Sequence, residues 1–271
     1  MRHRLAEDFG APVYPGEVPR RPDLPVKHFA AADGAILAYR ELGEGRPLVL
    51  IHGFFSTGYV NWVRYGTADV LAEAGFRVIM PDLRAHGASA QSHDPQAYPR
   101  DVLADDAFAL IDHLGLTEYD LGGYSLGART TVRMMVRGAE PRRAIVAGMG
   151  LSGITEVDKR NEFFRRVFDG LGTHERGSAE WRSEAFLRTT GGDPTALRLV
   201  LETSVGATEA ELADILTPTL VVMGDDDRGL GSGAELADAM PLARFVEIPG
   251  NHMSAVTDPA LGTVIRDFLL G

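Results

Sequence analysis

The chain contains no cysteine. A disulfide scaffold, a cysteine zinc site, an iron–sulfur cluster and a thiol nucleophile are thereby excluded, so any covalent catalysis must run through another side chain. Clustered positive charge is missing too. There are 27 basic residues against 38 acidic ones, a formal charge of −11, and no basic run exceeds the pairs Arg20-Arg21, Arg142-Arg143 and Arg165-Arg166. Nucleic acids and anionic bilayers are bound by gathered Lys and Arg, so this balance argues against both as partners. No stretch approaches the roughly 18 apolar residues that would span a bilayer, and the opening segment has no signal-peptide apolar run. A cytoplasmic protein is the default expectation.

What is present is ample material for a core: 271 residues, 45% of them hydrophobic. Pro12, Pro15, Pro19, Pro22 and Pro25 crowd the start. Proline fixes φ and removes a donor, so residues 1–25 read as an extended arm, either a loose tail or a strap on the body or on a second subunit. Beyond it, two runs around the turn dipeptide Asp33-Gly34 read as a hairpin. Short continuous apolar runs follow at Pro47–Gly53, Phe76–Asp82, Tyr119–Gly123, Ala144–Gly150, Thr219–Asp225 and Ala243–Pro249. Such runs mark strands buried on both faces. Helical spacing separates them, as in Leu103, Ala107, Leu110, Ile111 and Leu114, and again in Val256, Leu261, Val264, Ile265 and Phe268. The expectation is an α/β fold: a mostly parallel sheet of about eight strands flanked by helices, with the hairpin at one edge. From 152 to 214 no strand-like run occurs. Roughly 60 residues is too long for an ordinary crossover, so this stretch reads as an inserted helical cap on a core of 26–151 and 215–271.

The most informative residues are Gly123-Tyr124-Ser125-Leu126-Gly127. They follow a strand and open a helical run through Ala128, Val132, Met135 and Val136, the setting of a nucleophile elbow. A sharp strand-to-helix turn crowds the residues around the serine, and glycine two places to either side relieves that crowding. The hydroxyl then stands at a helix N-terminus, where the dipole and free N–H groups favour negative charge. An oxyanion hole would take one N–H from Leu126 and a second from the turn His52-Gly53-Phe54, where Gly53 permits close approach and Phe54 supplies the donor. His52 itself reads as a prop for that turn.

These motifs resemble the α/β-hydrolase-fold serine hydrolases. His52-Gly53-Phe54-Phe55, Pro81–Ser89, Gly123–Gly127, Gly224–Asp227 and Pro249–His252 occur in the family's order, and the match runs from about Val26 to the C-terminus. Of eight histidines, most fall in the arm, in strands, helices or polar loops. His252, after a strand and a Pro-Gly turn, stands where the family keeps its general base. His86 stands in a loop that the family uses to order a turn, and Asp82 in that loop reads as structural. The acid is one of Asp225, Asp226 and Asp227; the family's usual spacing selects Asp227, with Asp225 and Asp226 left as loop or capping residues. The resemblance thus implies a catalytic Ser125–His252–Asp227 set with an oxyanion hole from Phe54 and Leu126, and no metal or cofactor. Ala128 replaces a small glycine often found after the elbow, and the following Arg129 reads as a surface or helix-packing side chain.

Aromatic residues crowd the segment after the oxyanion turn and recur through 152–214. Ordinary packing accounts for most of them. Phe55, Trp62, Tyr124, Met149, Phe164, Phe168 and Trp181 are the candidates for walls of a cleft between core and cap. No Arg or Lys is placed by motif to hold an anion, with Arg165 and Arg166 as loose candidates only. The expectation is a serine esterase acting on a largely apolar small molecule. Rival readings are carbon–carbon bond, lactone or thioester hydrolysis on the same triad, a peracid-forming haloperoxidase-like enzyme, and a ligand receptor with little turnover. A small-molecule substrate is the expected partner, and a homo-oligomer is left open.

Overall fold

The structure is a computed structural model and describes residues 24–271. The expected arm, 1–25, lies outside the described residues except for its last two positions. The elements run β1 (Lys27–Ala30), β2 (Ile36–Leu42), β3 (Arg46–Ile51), α1 (Thr67–Glu73), β4 (Phe76–Asp82), α2 (Val102–His113), β5 (Asp120–Tyr124), α3 (Leu126–Val136) and β6 (Ala144–Ala147). Five helices come next: α4 (Leu151–Thr155), α5 (Val157–Asp169), α6 (Ala179–Thr190), α7 (Pro194–Leu201) and α8 (Glu209–Ala213). The chain then returns to β7 (Thr219–Gly224), α9 (Gly233–Asp238), β8 (Ala243–Ile248) and α10 (Pro259–Leu270).

The eight strands form one sheet in the order β1-β2-β4-β3-β5-β6-β7-β8. β1–β2 and β2–β4 pair antiparallel and all other neighbours are parallel. The expected fold is therefore observed, with the Asp33-Gly34 hairpin at one edge. Because side chains alternate across a strand, β3 sends Val49 and Ile51 to one face and Leu48 and Leu50 to the other. Helices α2, α3 and α9 cover the first face, and α1 and α10 the second. With both faces covered, the central strands have no polar side to show, which is why they read as continuous apolar runs.

The helices between β6 and β7 carry their own start signals. Asp193 accepts the Thr195 and Ala196 N–H groups ahead of Pro194, and Ser178 accepts the Trp181 N–H. Thr208 and Glu211 form a reciprocal capping box. β3 lies between β4 and β5, so the chain leaves β3 in opposite directions on either side. This is a topological switch point, and the carboxyl ends of β3 and β5 open there together, where such sheets hold ligands.

Candidate active site

At the end of β5 the chain turns into α3 through Ser125, whose φ of 55° and ψ of −111° lie outside the ordinary regions for a side-chain-bearing residue. The flanking glycines are needed sterically. A Cβ on Gly127 would lie 2.1 Å from the Ile51 carbonyl oxygen, and one on Gly123 would lie 2.2 Å from the Gly127 backbone. Both contacts are far inside van der Waals distance, so only glycine lets α3 start against β3 and β5.

The Ser125 hydroxyl lies 3.0 Å from His252 Nε2, and His252 Nδ1 lies 2.8 Å from Asp227 Oδ2. Asp227 is buried. Its two neighbours do other work. Asp225 Oδ1 accepts the Gly250 N–H at 2.9 Å and so ties the two loops together, while Asp226 faces solvent beside Arg228. Tyr124 donates its hydroxyl to the His252 carbonyl at 2.7 Å. Burial, with the charge of Asp227 added, raises the Tyr124 phenol well above its ordinary pKa and keeps it a donor.

The turn after β3 comes close to this group: a Cβ on Gly53 would lie 3.4 Å from the Ser125 Cβ. Asn61 Oδ1 accepts the Gly53 N–H at 3.0 Å and His86 Nε2 accepts the Phe55 N–H at 3.3 Å. His52 is fully buried; its Nε2 accepts the Leu83 N–H and its Nδ1 faces the Gly53 carbonyl. It props the turn, as the sequence suggested. Between these clamps the Phe54 N–H has no hydrogen-bond partner among the described residues, and neither has the Leu126 N–H at the first turn of α3.

A narrow cleft, partly open to solvent, lies over Ser125. Its core side is Phe54, Leu126, Arg129 and Met149; Arg160, Asn161 and Phe164 from α5 and Val200, Leu201 and Ser204 from in and after α7 close it opposite. Of the expected wall residues, Met149 and Phe164 line this cleft. Phe55 and Phe168 stand behind the wall: Phe55 stacks on Phe54 with centroids 4.3 Å apart, and Phe168 meets Phe55 edge-on at 5.6 Å. Three expectations are corrected. Trp62 packs with Leu48 and Leu50 on the opposite face of the sheet. Tyr124 also faces that cluster and reaches the site only through its hydroxyl. Trp181 lies on α6 beside Arg176, outside the cleft lining. An aromatic residue near a motif in sequence says nothing about which face of the sheet it takes.

Of the two readings of Arg129 the surface one is corrected: it is buried in the cleft wall and packs α3 against α4, donating to the Gly153 carbonyl from Nε and Nη2. Arg165 and Arg166 point away and pair with Glu202 and with Glu162 and Glu180. Arg129, Arg160 and Asn61 carried no motif signal. Among the described residues no group of three or more His, Cys, Asp or Glu is placed to hold a metal ion.

Residues 46–171 match the family model described as the alpha/beta hydrolase fold. A non-heme chloroperoxidase of Kitasatospora aureofaciens is 29% identical over 251 residues, 81% of this chain and 89% of that one. Among solved structures, a hydrolase from Pseudomonas aeruginosa superposes with a TM-score of 0.72 at 26% identity, covering 92% of this chain and 99% of that one. An esterase from Thermogutta terrifontis gives 0.71 at 25% identity, covering 90% and 98%. With the sheet order, the strained turn at the end of β5 and these likenesses in agreement, the chain has the α/β-hydrolase fold.

Proposed function

We propose that the protein is a serine hydrolase that cleaves an ester or ester-like acyl bond through an acyl-enzyme on Ser125. The observation that carries this reading is the unbroken chain from Ser125 Oγ through His252 to Asp227, at 3.0 and 2.8 Å, beside two N–H groups without partners. His252 Nε2 takes the hydroxyl proton as Oγ bonds to the carbonyl carbon, and Asp227 accepts from Nδ1–H and stabilises the imidazolium. The Phe54 and Leu126 N–H groups hold the oxyanion, each contributing on the order of 10²–10³ in rate. As the carbonyl reforms, the bond to the leaving alcohol breaks and the proton on His252 passes to that oxygen. Water then attacks the acyl-enzyme with His252 as base, releasing the acid and returning the proton to Ser125.

In this reading the helices of 152–214 act as a cap that shields the acyl-enzyme and shapes the acyl site. The likeness to a chloroperoxidase favours one variant of the second step. Hydrogen peroxide in place of water would release a peracid from the same acyl-enzyme, with no change in the first step. Hydrolysis of short-chain methyl esters, followed by proton release, tests the reading. Turnover by the wild type that falls on the order of 10⁶-fold in Ser125→Ala supports it. Turnover that survives the substitution refutes it.

A further inference from the structure

Most other arginines that are buried or part-buried pair with carboxylates: Arg84 with Asp33 and Asp106, Arg133 with Asp101, Arg46 with Asp120. Two arginines in the cleft have no carboxylate of their own. Arg129 lies one helical turn beyond Ser125, is only 5% exposed, and finds a single carbonyl, that of Gly153. Arg160 reaches in from α5, its guanidinium 4.5 Å from the Phe164 ring centroid, and makes no hydrogen bond or ion pair with any described residue. Asp227 is near enough for its charge to act on Arg160, but its carboxylate is already engaged by His252.

Burial lowers the Arg129 pKa to about 10, and the charge of Arg160 adds to that lowering. Burial likewise lowers that of Arg160. Both groups remain cations at neutral pH. A guanidinium taken from water without a counter-charge is costly, and two facing one cleft repel each other as well. That arrangement is relieved when a ligand brings the missing negative charge, and the planar fork of arginine suits a carboxylate.

We propose that the acyl site is built for an anionic substrate: a compact ester or ester-like compound whose free carboxylate is held by Arg129 and Arg160 while its scissile carbonyl rests at Ser125. The inference rests on the acyl-transfer reading above and narrows its substrate class to a half-ester of a short dicarboxylic acid, in place of the largely apolar molecule expected from the sequence. The two arginines come from opposite walls, Arg129 from α3 and Arg160 from α5. A carboxylate between them therefore draws the two walls together, and Phe54, Leu126, Met149 and Phe164 pack on the methylene chain.

The test compares monomethyl glutarate with methyl pentanoate, which differ by a carboxylate in place of a methyl group. Binding is measured by calorimetry on Ser125→Ala, where no turnover can interfere, and again on Ser125→Ala carrying Arg160→Met or Arg160→Lys. Charge-assisted hydrogen bonds of this kind favour the half-ester by about ten- to a hundredfold. The expected result is that preference in Ser125→Ala, its collapse with Arg160→Met and its partial retention with Arg160→Lys. A parallel kcat/KM ratio for the two esters in the Ser125-containing protein falls by the same factor with Arg160→Met. Arg129→Met, checked for folding by its thermal melt, supplies a second arm. Equal binding of the two ligands, or a preference that survives both arginine substitutions, overturns the proposal. Because binding is read without Ser125, a failed acyl-transfer reading would appear separately, as missing turnover beside intact charge-dependent binding.

Discussion

Asp225, Asp226 and Asp227 have the same side chain and different surroundings. Only Asp227 reaches His252; Asp225 ties the loop to Gly250 and Asp226 faces solvent. Asp227→Asn is therefore expected to lower kcat on the order of 10⁴-fold, since an amide favours the wrong imidazole tautomer. Asp226→Asn should leave ester turnover within about twofold, as surface substitutions do. Steady-state kinetics on the two variants checks this, and equal losses in both would contradict the assignment. At this scale the sequence was legible where sterics leave one choice. A serine between two glycines after a strand has few other uses, whereas three adjacent aspartates differ only in what the folded loop turns them towards. Arg129 was illegible for a related reason. It faces a cleft because α5 and α7 lie across from it, and nothing near residue 129 in sequence records that.

Between elements, the loop after β4 is a junction rather than a connector. Arg84 is 2% exposed and its guanidinium bonds Asp106 on α2 and Asp33 in the β1–β2 turn, at 2.6 to 3.0 Å. Burial lowers its pKa, but the hydrogen bonds it donates to these two carboxylates outweigh that and raise it above the ordinary value. Asp106 is 4% exposed. Arg84→Met should therefore cost about 3–5 kcal/mol, because it leaves the Asp106 carboxylate buried without its partner. Urea unfolding measures that loss, and a change below about 1 kcal/mol would mean that the junction is not holding these elements together. Adding Asp106→Leu to Arg84→Met should recover much of the loss. The strands were legible as apolar runs, and the helical stretch between β6 and β7 as a gap in those runs. The Arg84 junction was not, because its partners lie 51 and 22 residues away and no local pattern joins them.

For the molecule as a whole, two buried imidazoles make stability depend on pH. Burial, with the charge of the neighbouring His52 adding to it, lowers the pKa of His86 to about 3; burial likewise lowers that of His52. Both are held neutral, while in the unfolded chain each titrates near 6.5. The unfolded state binds more protons in this window. The contribution is thus complete above pH 6.5 and is lost as pH falls towards 3, at up to about 1.4 kcal/mol per pH unit for each group. His86→Asn should flatten the unfolding free energy measured between pH 6.5 and 4.5 by about that slope, and an unchanged slope would contradict it. The order of the sheet was the least legible feature at this scale, because apolar runs identify strands and not their neighbours. β3 takes its place between β4 and β5 by pairing with strands 30 and 72 residues further along the chain, and that placement brings Phe54 and Ser125 to one cleft. The central claim is that this convergence activates Ser125. A fluorophosphonate probe followed by intact-mass and peptide mapping tests it most directly. One adduct on Ser125 in the wild type, absent in Ser125→Ala and strongly slowed in His252→Ala, is the predicted result; no adduct, or one that persists in Ser125→Ala, would contradict it.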